Sequence, residues 1–214
     1  MKTNVRSYAF MMPTRIPSSR GEKTRRAILD GSYRLIIRQG FAATSMREIA
    51  RQSHVALGGI YNHFGSKEEI FRAIIEERHP FLQLLPVLQT MRGETAQDFV
   101  RNAARTLLQE LGRRPDFVNL MLVEIVEFKA RHIPPLFRKF LPMVAPLVKR
   151  LAPFQRQTRK IPPLVLVRAF VGMFFSLYIT EMLLGRVMPP LMRRNSVEHF
   201  VDIFLHGILE EESQ

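Results

Sequence analysis

Between Thr44 and Lys67 the chain gathers side chains that donate hydrogen bonds or carry positive charge: the Thr44 and Ser45 hydroxyls, the Arg47 guanidinium, the Tyr61 phenol, the Asn62 amide, the His63 imidazole and the Lys67 ammonium. Such groups hold anionic oxygens, and no nucleophile, base and orienting group accompany them at a spacing that would make an acid-base or covalent catalyst. A second set is of another kind. Phe117, Met121, Glu124 and Phe128 share one helical stripe, and Glu181 follows Phe174, Leu177 and Tyr178, so each carboxylate interrupts an apolar face. A carboxylate there must find a partner or shift its pKa. Met121, Glu124, Phe128, Phe174, Tyr178 and Glu181 are therefore the candidates for holding and orienting a small, apolar or amphipathic ligand. Asn119 and His132 are possible helpers, and Met91, Met143, Met173 and Met182 can complete an adaptable wall. Core packing with ion pairs to Arg168 or Arg138 is the competing reading.

The elements that must position the first set are helices. Glu22 to Gln39 has Ala27, Ile28, Gly31, Leu35 and Ile36 near helical spacing, and Gly40 stops it. Ser45 with Glu48 three residues later is a capping box opening a short helix to about Ser53. From Met46 to Gly65 the spacing fits a helix-turn-helix: Ala50 is small enough for a close crossing, Ile49, Val55 and Ile60 supply its apolar contacts, and Leu57 to Phe64 forms the second helix. Ser66 caps a further helix that the His79-Pro80 pair bends or ends.

Thr44-Ser45-Met46-Arg47-Glu48-Ile49-Ala50, then Val55, then Gly58 to Lys67 as Gly-Gly-Ile-Tyr-Asn-His-Phe-Gly-Ser-Lys, resembles the tetracycline-repressor (TetR) family. The motif covers about Glu22 to Ile75. The resemblance implies that Leu57 to Phe64 enters a major groove of double-stranded DNA. Thr44, Ser45, Tyr61, His63 and Lys67 would then fix register on phosphates. Arg47 and Asn62 would read guanine and adenine edges, and Leu57 would lie against a thymine methyl. Gly58 and Gly59 would permit close backbone approach. Three positions depart from the family pattern: His54 stands where a left-handed glycine is usual, Ala56 replaces a Ser/Thr cap, and Gly59 replaces a Thr.

Beyond Phe81, helical segments are expected at Thr95 to Leu111, Asp116 to Ala130, a proline-interrupted Ile133 to Pro153, Leu164 to Leu184, and Val197 to Glu210. The segment before the last is apolar almost all round, which requires burial on several sides. The last carries Phe200, Val201, Phe204, Leu205 and Ile208 as a stripe, opened by Asn195 with Glu198 three later. In the resembling family the final two helices pair with their twofold mates, which implies a homodimer through that stripe; packing inside one chain is the competing reading.

Charge and composition agree with this organisation. The 214 residues carry 32 Lys and Arg against 19 Asp and Glu, a net charge of +13, and no cysteine. Up to Phe64 there are eleven Lys and Arg and three Asp and Glu, a surplus of eight, so the field that attracts a polyanion is concentrated in the first third. Arg168 and Glu181 break the longest apolar run, which argues against a membrane span. The expectation is an all-α chain in three parts. Residues 1–20 form a flexible basic arm, 21–66 a three-helix helix-turn-helix DNA-binding domain, and 67–214 a helical ligand-binding and dimerisation domain entered through a connecting helix over 67–79. It would act in the cytoplasm, as a non-enzyme without metal or cofactor, most naturally as a repressor released from a palindromic operator by an effector. A helical protein of the membrane surface, or one that binds lipid, is the alternative.

Overall fold

Side-chain caps fix where the first helices begin in the computed structural model, which describes residues 19–90, 95–151 and 159–208. The basic arm expected over residues 1–20, all but its last two residues, and Met91 lie outside these ranges. Ser19 and Glu22 form a capping box that opens α1 (Arg20–Gln39), and Gly40, at φ 84°, closes it. Ser45 and Glu48 form the second box, which opens α2 (Met46–Ser53). His54 then takes φ 56°, the left-handed conformation expected of the glycine it replaces. The next helix, α3 (Leu57–Tyr61), starts at Ala56 without a side-chain cap. It is shorter than the Leu57 to Phe64 expected: Asn62 and His63 form a turn, and the Phe64 N–H still donates to the Ile60 carbonyl at 2.9 Å. Ser66 caps α4 (Lys67–Arg78), accepting from the Glu69 N–H at 3.1 Å.

Two compact units divide after Phe71, within α4. In the first, α1 packs across α2. Ile28, Leu29, Leu35 and Ile36 of α1 meet Ile49, Ile60, Phe64, Ile70 and Phe71 in the core. Burying each such side chain stabilises the fold by roughly 1.5–3 kcal/mol. Between α1 and α2 the tight approach falls at Gly31; Ala50, expected at the crossing of α2 with α3, is half-buried. A Cβ on Gly31 would lie 3.1 Å from the Ser53 backbone nitrogen, so a larger residue would push the two helices apart.

The second unit comprises the rest of α4, then α5 (Phe81–Thr90), α6 (Ala96–Gly112), α7 (Asp116–Phe128), α8 (Ile133–Leu151), α9 (Pro163–Leu184), the single turn α10 (Pro190–Arg193) and α11 (Ser196–Ile208). At its centre α6 touches α5, α9 and α11, and α8 touches α5 and α9. Helical periodicity alone does not indicate two of these elements, α5 and α10. The first contains Pro86, whose missing N–H argues against a helix. Leu84, Leu85 and Leu88 are nonetheless buried, and that tertiary packing outweighs the lost bond. Nor do prolines interrupt α8: Pro142 and Pro146 lie one turn apart on its exposed side, where water can satisfy the carbonyls they leave free.

Three expectations about the last helices need correction. Val201, Phe204 and Leu205 are buried within their own chain, with the Phe204 ring 5.6 Å from Phe170 and 6.4 Å from Phe174. The Phe200 ring lies 6.5 Å from Phe174, and Phe200 and Ile208 are half-buried. The stripe is therefore part of this unit's core and leaves little surface to offer a second chain. Glu198 does not close a capping box with Asn195; its carboxylate accepts from Arg101 at 3.0 Å and Arg105 at 2.7 Å, tying α11 to α6. Those bonds, Arg105 first, hold its carboxyl below the usual range. Finally, α9 is not buried on several sides. Only Phe174 and Leu177 are buried, and by length and composition alone the helix could cross a membrane.

Candidate nucleic-acid interface

Around α2 and α3, buried and exposed residues separate cleanly. Ile49, Ile60 and Phe64 point inward, while Ser45, Arg47, Arg51, Gly58, Tyr61 and Asn62 are exposed, Tyr61 at 53%. Arg47 and Arg51 are one turn apart and share a face of α2. Arg51 did not stand out in the sequence; only its place beside Arg47 on the exposed side marks it. Leu57 and Gly59 are half-buried. A Cβ on Gly58 would meet nothing within 4 Å, whereas one on Gly59 would lie 3.0 Å from Val55 Cγ1. His63 lies beside the start of α1, its Cε1 3.8 Å from where a Cβ of Gly21 would stand.

Three of the expected donors are engaged inside the protein. Thr44 is 2% exposed in spite of its polarity, and its hydroxyl donates to the Gly40 carbonyl at 2.8 Å. The Ser45 hydroxyl donates to Glu48 Oε2 at 2.8 Å while accepting from the Glu48 N–H at 3.2 Å. The Ser45 hydroxyl first, then its N–H, hold the Glu48 carboxyl below its ordinary range. Lys67 reaches back to the α1–α2 connection, donating to the Phe41 and Thr44 carbonyls at 2.6 Å each, with Ala42 at 3.4 Å. Its ammonium stands 4.2 Å from the Phe41 ring centroid. These contacts brace the turn that delivers Ser45 to the head of α2.

Residues 28–74 match the family model of bacterial regulatory proteins, tetR family. Over that stretch the chain is similar to the family's regulators. Solved structures share its fold at low identity. A TetR family transcription regulator from Marinobacter aquaeolei superposes with TM-score 0.62 at 17% identity, covering 90% of this chain and 98% of its own. NalD, the secondary repressor of the MexAB-OprM multidrug efflux pump in Pseudomonas aeruginosa, gives 0.63 at 21%, covering 89% and 99%. SmeT in complex with triclosan gives 0.65 at 21%, covering 88% and 93%.

In the second unit, the residues expected to hold a ligand do not converge. Glu124 is fully buried with both oxygens committed, accepting at 2.8 Å from the His132 backbone N–H and lying 2.8 Å from His132 Nδ1. It closes the α7–α8 turn, where Lys129 and Ala130 take φ 54° and 60°. Phe128 lies against His132, ring centroids 4.9 Å apart, and Phe174 belongs to the α9–α11 core. Tyr178 and Glu181 do share a cleft, of ≈ 510 Å³, together with Leu108, Leu177, Pro190, Arg193, Arg194, Ser196 and Val197. Met121, Glu124, Phe128 and Phe174 are not among its lining residues. Burial, then the negative charge of Asp116, raises the Tyr178 pKa, so the phenol keeps its proton.

Proposed function

We propose that this chain is a homodimeric transcriptional repressor that binds a palindromic operator and is released by a small effector. The observation that carries the proposal is the exposed face of α3, Gly58, Tyr61 and Asn62, beside Arg47 of α2 on a rigidly capped frame. In this reading Arg47 and Asn62 read base edges and Leu57 meets a thymine methyl. Ser45, Tyr61 and His63 hold phosphates, and Gly58 and Gly59 let the backbone come close. Thr44 and Lys67 contribute by bracing the turn before α2.

Support for a dimer comes from α9, where Val165, Ala169, Gly172, Ser176, Thr180 and Leu183 form an exposed stripe at helical spacing. Covering that stripe with its twofold copy removes apolar surface from water and sets two α3 helices at a fixed separation, about 34–36 Å for successive major grooves. An effector acts by binding more tightly to a conformation with a different separation. The repressor assignment draws on NalD, and the effector assignment on SmeT with triclosan. Selection of bound DNA from a random pool tests the proposal. Enrichment of an inverted repeat with half-sites about one helical turn apart supports it; no enrichment, or a single half-site bound by one chain, overturns it.

A further inference from the structure

Four elements line an open cleft in the second unit: Leu108 comes from α6, Leu177, Tyr178 and Glu181 from α9, Pro190 and Arg193 from α10, and Ser196 and Val197 from α11, with Arg194 between the last two helices. Its ≈ 510 Å³ falls within the range of about 300–1,000 Å³ found for small-molecule sites. Leu108, Leu177, Pro190 and Val197 give it an apolar body. The polar groups are two guanidiniums, two hydroxyls and one carboxylate. Charge decides what can fill it. Glu181 Oε2 stands 3.6 Å from Arg193 Nε, beyond hydrogen-bond length, and the neighbouring acid Glu198 is committed to Arg101 and Arg105. That leaves Arg194 with no carboxylate within ion-pair distance among the described residues, so the lining itself is net positive, although the Asp116 charge reaches Tyr178 from outside it.

Resting on the effector role above, we infer that this cleft takes an amphipathic anion, an apolar body bearing one acid group that Arg194 and Arg193 grip by charge-assisted hydrogen bonds. A guanidinium presents a planar fork that fits a carboxylate, and the Tyr178 and Ser196 hydroxyls can add donors. A neutral apolar ligand would cover the guanidiniums without answering their charge, and a cation would meet the two guanidiniums of the lining against its one carboxylate, Glu181. The backbone holds the arginines in place: Pro190 opens α10, the Arg194 N–H donates to the Pro190 carbonyl at 2.9 Å, and Asn195 turns the chain at φ 57°.

Calorimetric titration of the full chain with decanoate and with naphthoate, against decanol and decyltrimethylammonium as neutral and cationic counterparts, tests this. At least one carboxylate is expected to bind about tenfold or more tightly than both counterparts, and Arg194→Gln to weaken it about tenfold. Arg186→Gln, an exposed arginine outside the cleft, is expected to leave it unchanged. Binding by neither carboxylate, equal binding of decanol, or indifference to Arg194→Gln overturns the inference. Repeating the titration on the DNA-bound protein separates the two claims. Arg194-dependent carboxylate binding without DNA release keeps the cleft assignment and overturns the effector role. Release by decyltrimethylammonium without carboxylate binding does the reverse.

Discussion

Lys67 shows how a residue type can be right for one task while its surroundings assign it another. An ammonium at the head of a helix beside a DNA-binding motif suits a phosphate, yet here carbonyls of Phe41 and Thr44 hold it at 2.6 Å. Hydrogen bonds to a charged group are each worth about 1.5–3 kcal/mol, so Lys67→Met should lower the melting temperature and weaken DNA binding through the α2 frame. The slope of log K against log salt should stay as in the parent protein; a slope smaller by about one, read by fluorescence anisotropy over a salt series, would assign Lys67 to a phosphate instead. His79 makes a different case. It is buried beside Phe81, Phe117 and Phe140, its ring centroid 4.9–5.0 Å from theirs, and burial, then the charge of Arg114, lowers its pKa to about 4. Because this folded value lies below the unfolded 6.5, the unfolded chain binds more protons in that interval. Stability is therefore full above pH 6.5 and falls toward pH 4, by roughly 3 kcal/mol if the whole shift acts. Thermal melts at pH 7 and pH 4.5 should show a smaller drop in His79→Phe than in the parent.

At the scale of elements, α3 is the weakest of those proposed to meet DNA. It has five residues, two of them glycine, and no side-chain cap. Glycine costs about 0.5–1 kcal/mol relative to alanine inside a helix. With open space at its Cβ position, Gly58→Ala should recover most of that and raise the denaturant midpoint. Gly59→Ala should not, because Val55 Cγ1 at 3.0 Å must first give way. Denaturation of both variants in urea checks the contrast; equal gains would mean that the Val55 side chain yields freely.

For the whole molecule, the question is what covers α9. Its outer stripe includes Val165 and Leu183, and the last helix adds Ile203, all largely exposed, while the stripe once expected to pair on that last helix serves its own chain's core. Ser176→Glu puts a charge in the middle of the α9 stripe without touching that core. Sedimentation should then find a monomer of unchanged helix content, with affinity for an operator reduced at least about tenfold, since each half-site alone retains only part of the contacts. A dimer that survives the substitution would place the contact elsewhere.

Local chemistry settled much of this protein before any tertiary contact. The Ser45–Glu48 box, the Gly40 stop, the left-handed His54 and the period of Ile49, Val55 and Ile60 act within a few residues of chain, so the order of α1 to α4 and where they start could be read from residue order, whereas the end of α3 and the close approach at Gly31 could not. Helical periodicity likewise found the apolar stripe of α11. Periodicity says which residues share a face, but not what lies opposite. Only the packed chain decided that Val201, Phe204 and Leu205 are buried, Phe204 against α9, that Glu198 answers Arg101 and Arg105, and that α5 is helical across Pro86. The same holds for the cleft, because Leu108, Tyr178 and Arg194 are far apart in sequence and meet only when α6, α9 and α11 pack.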